Sequence, residues 1–349
     1  MKAVVLSAAG RFAVRDDVPR PTPVAAEALL RVRSATICGT DQKVFGGLFP
    51  GTVFPHIPGH EFSGEVVEVG PDVDEVAIGD RVGVEVHVGC GRCARCLEGL
   101  YQLCLNYGRR DKGHAHIGFT VPGGLAEYVA VSVKALHRLP DALSWDEGAF
   151  ADNIGIALYA VERGNLQAGE TVVVIGAGAF GGLAAQVARA LGAAQVVLLG
   201  TRPERVARLM GMADAVVVAH GDEAVQQTKH VLGDVGADLV VEFAGTAEAA
   251  RQAIALARRG GRVVLAGATG PGRELSGVDL STIVRGHLDI HGALANPRGV
   301  SRRGLALLAR GSVDVAPLIT HHLPLADFSE AWSTFVERRD GAIRVMLHP

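Results

Sequence analysis

The run Val172-Val173-Val174-Ile175 stops at Gly176-Ala177-Gly178-Ala179-Phe180-Gly181, and a helix-compatible stretch over residues 182–191 follows, closed by Gly192. Few patterns leave a chain less choice. A short β-branched run bounded by glycine reads as a buried strand. G-x-G-x-x-G between a strand and a helix makes the connecting turn tight enough for the helix to pack back on the sheet. Gly176 is expected to make the turn, Gly178 to let an anion approach the backbone and Gly181 to let helix and strand pack closely. A helix N-terminus offers free N–H groups and a favourable dipole to phosphate. Gly176, Gly178, Phe180 and Gly181 are therefore candidate contacts to a dinucleotide. Further strands are expected at residues 195–199, 215–218, 237–243, 261–266 and 288–292, separated by Ala-, Arg- and Glu-rich helical stretches. Strands alternating with helices imply βαβ units and a parallel sheet.

The first 150 residues have a different texture. Residues 27–33, 64–69 and 81–86 alternate apolar with polar, and Gly and Pro punctuate them, as in Phe54-Pro55-His56-Ile57-Pro58-Gly59. Short strands with frequent turns suggest a small barrel. After residue 295, helices at 301–310 and 326–338 and a last strand at 343–347 are expected. The length of 349 residues suits two domains.

Four of the five cysteines, Cys90, Cys93, Cys96 and Cys104, follow the spacing C-x2-C-x2-C-x7-C. Four thiolates so placed can close a tetrahedral structural Zn2+ site. An iron–sulfur cluster also uses four cysteines, but the x7 gap does not match the ferredoxin spacings. The expected strand at 195–199 runs on into Gly200-Thr201-Arg202-Pro203-Glu204-Arg205. No acid stands at its tip to hold the ribose hydroxyls of NAD. A glycine leaves room there, Thr201 can donate, and Arg202 and Arg205 can clamp a 2′-phosphate. NADP is the expected cofactor. The alternative is NAD, with solvated arginines and Glu204 reaching the ribose.

The fifth cysteine lies in Ile37-Cys38-Gly39-Thr40-Asp41, and Gly59-His60-Glu61-Phe62-Ser63-Gly64 with Gly70 and Val73 matches G-H-E-x2-G-x5-G-x2-V. This pattern resembles the zinc-containing alcohol dehydrogenase signature of the medium-chain dehydrogenase/reductase family. Signature, cysteine lobe and glycine fingerprint occur in the family's order across nearly the whole chain. The resemblance implies an α/β protein with a GroES-like β-barrel catalytic domain at 1–153 and 295–349. It implies a doubly wound Rossmann domain at 154–294 and an active site in the cleft between them. It also implies a catalytic zinc with three protein ligands and an open position. Cys38 and His60 match the first two ligands, and Asp152, just before the Rossmann domain, the third. Glu61 resembles the family's adjacent glutamate, which ligates when water leaves or stands behind the ligands. Asp41 resembles the carboxylate that orients the ligand histidine, and Thr40 the hydroxyl that takes the substrate proton. Lys43 stands where many relatives relay that proton with histidine; being normally charged at pH 7, it is a poor relay unless its pKa is depressed, and contact with cofactor or substrate is its other reading. Arg344 resembles the pyrophosphate-binding arginine, against the reading of a plain surface residue.

The expected activity is hydride transfer between NADP(H) and a secondary alcohol or polyol and its ketone. The cofactors are one catalytic and one structural Zn2+ and NADP. The alternatives are an NAD-dependent L-threonine, amino-alcohol or sugar-alcohol dehydrogenase, and a zinc-free quinone or enone reductase. A non-catalytic NADPH-binding regulator is a further class, which turnover on any alcohol would remove. A net charge of −3 with mixed signs gives nucleic acid no basic stripe to bind. No run approaches the roughly eighteen apolar residues of a membrane span. The opening Met1–Ser7 reads as a strand rather than a signal peptide, so a cytoplasmic homodimer or homotetramer acting on a small molecule is expected. His114, His116, His287, His291, His321 and His322 lack ligand-like context and are expected at the surface or at caps. The polar segment 106–119, with Arg109, Arg110, Asp111 and Lys112, is expected as a loop that could touch a substrate or a subunit neighbour.

Overall fold

The computed structural model describes residues 1–267 and 274–349. The chain divides into two compact units, one of residues 1–155, 296–309 and 319–349, the other of 156–295 and 310–318. Among the described residues no helix is long and apolar enough to cross a membrane.

The second unit is built on six parallel strands: Thr171–Ile175, Gln195–Gly200, Ala215–Val218, Ala237–Glu242, Ala257–Leu265 and Asp289–Gly292. Their spatial order is third, second, first, fourth, fifth, sixth, the doubly wound order. The central strands are apolar on both faces because helices cover both; Val172, Val173 and Val174 are fully buried. The helix Ala179–Ala190 starts earlier than residue 182 because Gly178 is its N-cap, with Gly181 and Gly182 inside its first turns. Gly176 has φ +117°, where an L side chain is strained. A Cβ on Gly181 would lie 1.8 Å from the carbonyl oxygen of Gly176. Residues 310–318, expected with the first unit, belong to the second. Gln186 on the helix donates to the Asp314 carbonyl at 2.9 Å and accepts from its N–H at 2.8 Å.

In the first unit the sheet path runs Ile319–Pro324, Arg344–His348, Glu27–Thr36, Glu61–Val69, Arg81–Val84 and Leu136–Arg138, and Tyr128–Ser132 also pairs with Glu27–Thr36. Only the first two of these strands run parallel to each other. Irregularities at Leu29/Leu30 and Val32/Ser34 interrupt the long strand's register; such bulges bend a sheet. The sheet's inner residues, among them Leu30, Phe62, Val66, Val84 and Leu347, share one apolar core with Phe328 and Phe335 of the helix Phe328–Glu337. The last strand sets Met346 beside Thr36, whose other neighbour is Glu61.

Gly181→Ala tests the tight turn. The clash is with backbone, which has no rotamer to yield, so a loss of about 1–3 kcal/mol is expected. An unchanged denaturant midpoint would show that the turn can open.

Candidate active site and metal centres

Three places in the first unit's sheet meet around Cys38, which lies two residues beyond the end of Glu27–Thr36. Glu61 opens its own strand and Arg344 opens the last one. Between them sits Asp41, the first residue of the short helix Asp41–Phe45 and fully buried. One of its carboxylate oxygens accepts the Cys38 N–H at 2.8 Å, and the other lies 3.1 Å from His60 Nδ1. With Nδ1 engaged, His60 presents Nε2, which is 3.7 Å from a Glu61 oxygen. Cys38, His60 and Glu61 place their ligand atoms within 4.8 Å of one another, all buried. Burial opposes a charge on His60, but the Asp41 carboxylate more than offsets it and holds the ring well above the usual imidazole range. The spot favours positive charge, which a divalent cation would also supply.

Glu61 is anchored on three sides. Thr36 Oγ1 donates to one oxygen, and Asn153 Nδ2 at 2.6 Å and Arg344 Nη2 at 3.0 Å donate to the other. Burial raises its pKa, but Arg344 and then His60 more than reverse this, and Glu61 stays below the ordinary range. Arg344 is 4% exposed, so it is no plain surface arginine. The structure sets its guanidinium on Glu61. Asp152 is not one of the trio. It sits in the first turn of the helix Ala151–Arg163, 2% exposed, accepting the Val86 N–H at 3.1 Å. Burial pushes its pKa up to about 7, against the pull of nearby His60. Thr40 Oγ1 stands 3.6 Å from Cys38 Sγ, and Lys43 follows, half-buried, in the same short helix.

The four-cysteine lobe is a separate cluster. Its sulfurs all lie within 4.8 Å of one another, with Cys90–Cys96 and Cys93–Cys104 each at 3.9 Å. That is far beyond a disulfide of about 2.05 Å. It matches the roughly 3.8 Å edge of a tetrahedron whose corners lie about 2.3 Å from a zinc ion. The N–H groups of Leu105 and Asn106 donate to Cys93 and Cys104 at 3.4 Å, and Asn106 Nδ2 to Cys90 at 3.2 Å. The Arg92 N–H and the Asn106 side chain bring Cys90 down to about 6, whereas burial pushes Cys96 up to about 12. The donor set fits a closed zinc site.

His114 and His116, expected at the surface, are buried. The short ladder of His87–Val88 with Ala115–His116 draws segment 106–119 inward, and His116 stacks between His87 and Phe119 at ring separations of 4.3 and 4.0 Å. Burial, then neighbouring imidazoles, brings His87 down to about 3. Thr36 and Asn153 were not legible as site residues. Strand register alone puts Thr36 beside Glu61.

In the second unit, Thr201 and Arg202 are exposed just beyond the strand Gln195–Gly200. Gly200 does not leave room for a ligand as expected: a Cβ there would lie 2.5 Å from Ala177 Cβ and 2.6 Å from Val206. Arg205 Nη2 lies 3.4 Å from the Cβ position of Gly178, beside the glycine turn. Phe180 stacks on Phe243 at 5.7 Å.

The alcohol dehydrogenase GroES-like domain matches residues 24–141 and the zinc-binding dehydrogenase domain residues 179–310. Sorbitol dehydrogenase of Bacillus subtilis is 30% identical across 100% of this chain and 97% of its own. L-threonine 3-dehydrogenase of Deinococcus radiodurans is 32% identical, covering 96% and 94%. The chain belongs to the zinc-dependent medium-chain dehydrogenase family. A zinc-binding dehydrogenase of Sinorhizobium meliloti 1021, solved with NADP, superposes with a TM-score of 0.88 at 31% identity over 100% of this chain and 99% of that one. This medium-chain dehydrogenase is thus an oxidoreductase of the zinc-type alcohol and polyol class, with a GroES-like and a doubly wound domain.

Arg344→Ala would leave the Glu61 carboxylate buried without its guanidinium. Breaking such a pair from one side costs about 3–5 kcal/mol, to be read as a fall in the denaturant midpoint. A loss under about 1 kcal/mol would show that Thr36 and Asn153 suffice to hold Glu61.

Proposed function

We propose that this dehydrogenase interconverts a secondary alcohol or polyol and its ketone with NADP(H), and that it holds one zinc ion in each of its two ligand clusters. The buried meeting of Cys38, His60 and two carboxylates carries the reading. Bound zinc supplies Lewis-acid polarisation of a hydroxyl or carbonyl oxygen, and the nicotinamide supplies the hydride chemistry. Asp41 orients His60 through Nδ1 and fixes the Cys38 backbone. Thr40, beside Cys38, takes the substrate's hydroxyl proton, and Lys43 lies one turn on in the short helix that Thr40 caps. A zinc-free quinone or enone reductase would leave these ligand groups without a use.

Cys38 and His60 are two ligands, and Asp152 is the third. The Glu61 charge is already matched by Arg344 and its oxygens are taken. Asp152 is a buried carboxylate with one backbone hydrogen bond among the described residues, and buried charges are paired or bind metal. Asp152→Asn keeps the size and removes the charge. The catalytic zinc and turnover are expected to fall together while the cysteine-lobe zinc stays, counted by elemental analysis. Glu61→Gln showing that loss, with Asp152→Asn keeping both zincs and its turnover, would move the ligand role to Glu61. Cys104→Ser should lower thermal stability and release the other zinc, because binding energy of a closed site is folding energy.

The cofactor reading rests on Arg205 beside Gly178, exposed Thr201 and Arg202, and the NADP-bound Sinorhizobium relative. Arg202→Ala should weaken NADP on the order of tenfold to a hundredfold, the scale of a charge-assisted hydrogen bond, and leave NAD nearly unchanged. Equal losses with both cofactors would sink it. A panel of polyols, sugar alcohols, threonine and simple secondary alcohols, run with both cofactors, names the substrate class. The threonine dehydrogenase relative makes an amino alcohol the competing substrate, with NAD as the competing cofactor.

A further inference from the structure

We infer that Asp146, His322 and His348 form a third cation site, on the surface of the first unit, for a divalent ion that imidazole favours, such as Zn2+, Ni2+ or Cu2+. None of the three takes part in either cluster described above. They come from separate segments: Asp146 from the helix Trp145–Gly148, His322 from Ile319–Pro324 and His348 from Arg344–His348. The two strands are parallel neighbours, with His322 opposite Met346. His348, two residues on from Met346, shares that face. A nitrogen of each histidine and a carboxylate oxygen of Asp146 lie within 4.8 Å of one another.

Each donor is prepared by its surroundings. His348 Nδ1 faces the Arg33 carbonyl at 3.4 Å. An N–H donated there leaves the Nε2 lone pair free. That Nε2 is 3.2 Å from His322 Nδ1. Two nitrogens about 2.0–2.1 Å from one tetrahedral centre stand about 3.3–3.4 Å apart, so the pair is spaced to share an ion. Ser34 Oγ donates to Asp146 Oδ1 at 2.5 Å and fixes the carboxylate, whose Oδ2 lies 3.6 Å from His322 Nδ1. Side-chain exposures of 53% for His322 and 41% for His348 let a hydrated ion reach the donors directly. Two imidazoles and one carboxylate leave further positions for water. A bound ion would tie the last strand to its neighbour and to the 145–148 helix.

The test is calorimetric titration of the full-length, zinc-loaded enzyme with NiCl2, with metal counted after gel filtration. One saturable equivalent beyond the resident zinc is expected, together with a rise in Tm on adding Ni2+. His322→Gln and His348→Gln, at exposed positions, should fold normally, keep wild-type turnover and weaken that equivalent by roughly a hundredfold, about 2.7 kcal/mol of binding free energy. Asp146→Asn should weaken it by roughly tenfold. No added equivalent in the parent, or one that persists unchanged in both histidine variants, would overturn the site and leave the pair as two hydrogen-bonded imidazoles.

Discussion

Asp41 bonds in two directions from a position with no access to water, and the active site depends on it. A carboxylate removed from solvent is tolerated only when its oxygens are hydrogen-bonded, so neither contact can be released cheaply. One contact fixes the turn that carries Cys38. The other turns the His60 ring so that Nε2 faces the Glu61 side. Helix, strand end and loop are thereby held in one arrangement, and the two side chains most suited to bind a soft or borderline ion meet without a ligand search.

Around this anchor the buried charges balance in pairs. Glu61 answers Arg344 and His60 answers Asp41. Asp152 is left as a desolvated carboxylate whose pKa has risen to about 7. A divalent cation held by Cys38 and His60 would neutralise Cys38 and Asp152 together, and would take the place of the proton on His60, because a metal-bound imidazole is neutral. Arg344 then has a clear role: it keeps Glu61 anchored in its present place. The cysteine lobe follows another logic. Its four sulfurs match one another and backbone N–H groups, a closed arrangement suited to holding the fold rather than to reacting.

The second unit separates geometry from preference. Its turn is dictated by steric limits at Gly176 and Gly181, which admit no side chain, and any dinucleotide enzyme of this topology shares them. Preference, on the proposed reading, would sit on Thr201, Arg202 and Arg205, beyond the strand end and outside the tight turn. Gly200 shows how the two can be confused. Its missing side chain accommodates Ala177 and Val206, a packing requirement that in sequence looks like an open space for phosphate.

Much is legible in the amino-acid sequence. Period and punctuation announced the parallel sheet, because strands buried on both faces must be apolar throughout. The spacing of Cys90, Cys93, Cys96 and Cys104 announced their cluster, because ligands close in sequence are close in space. Gly59-His60-Glu61 and Cys38 stood out through their resemblance to the zinc-containing alcohol dehydrogenase signature. What lay beyond reach involves segments far apart along the chain. The contacts of Glu61 with Arg344 and Asn153, the burial of His116 beneath His87, and the meeting of Asp146 with His322 and His348 arise from strand register and from where the helices Trp145–Gly148 and Ala151–Arg163 meet the sheet. A one-residue slip in register would send those side chains to the opposite face. Local sequence determined which chemistries were present, whereas the choice of which charge faces which was left to pairing between distant strands, a property of the folded sheet that no short window of sequence contains.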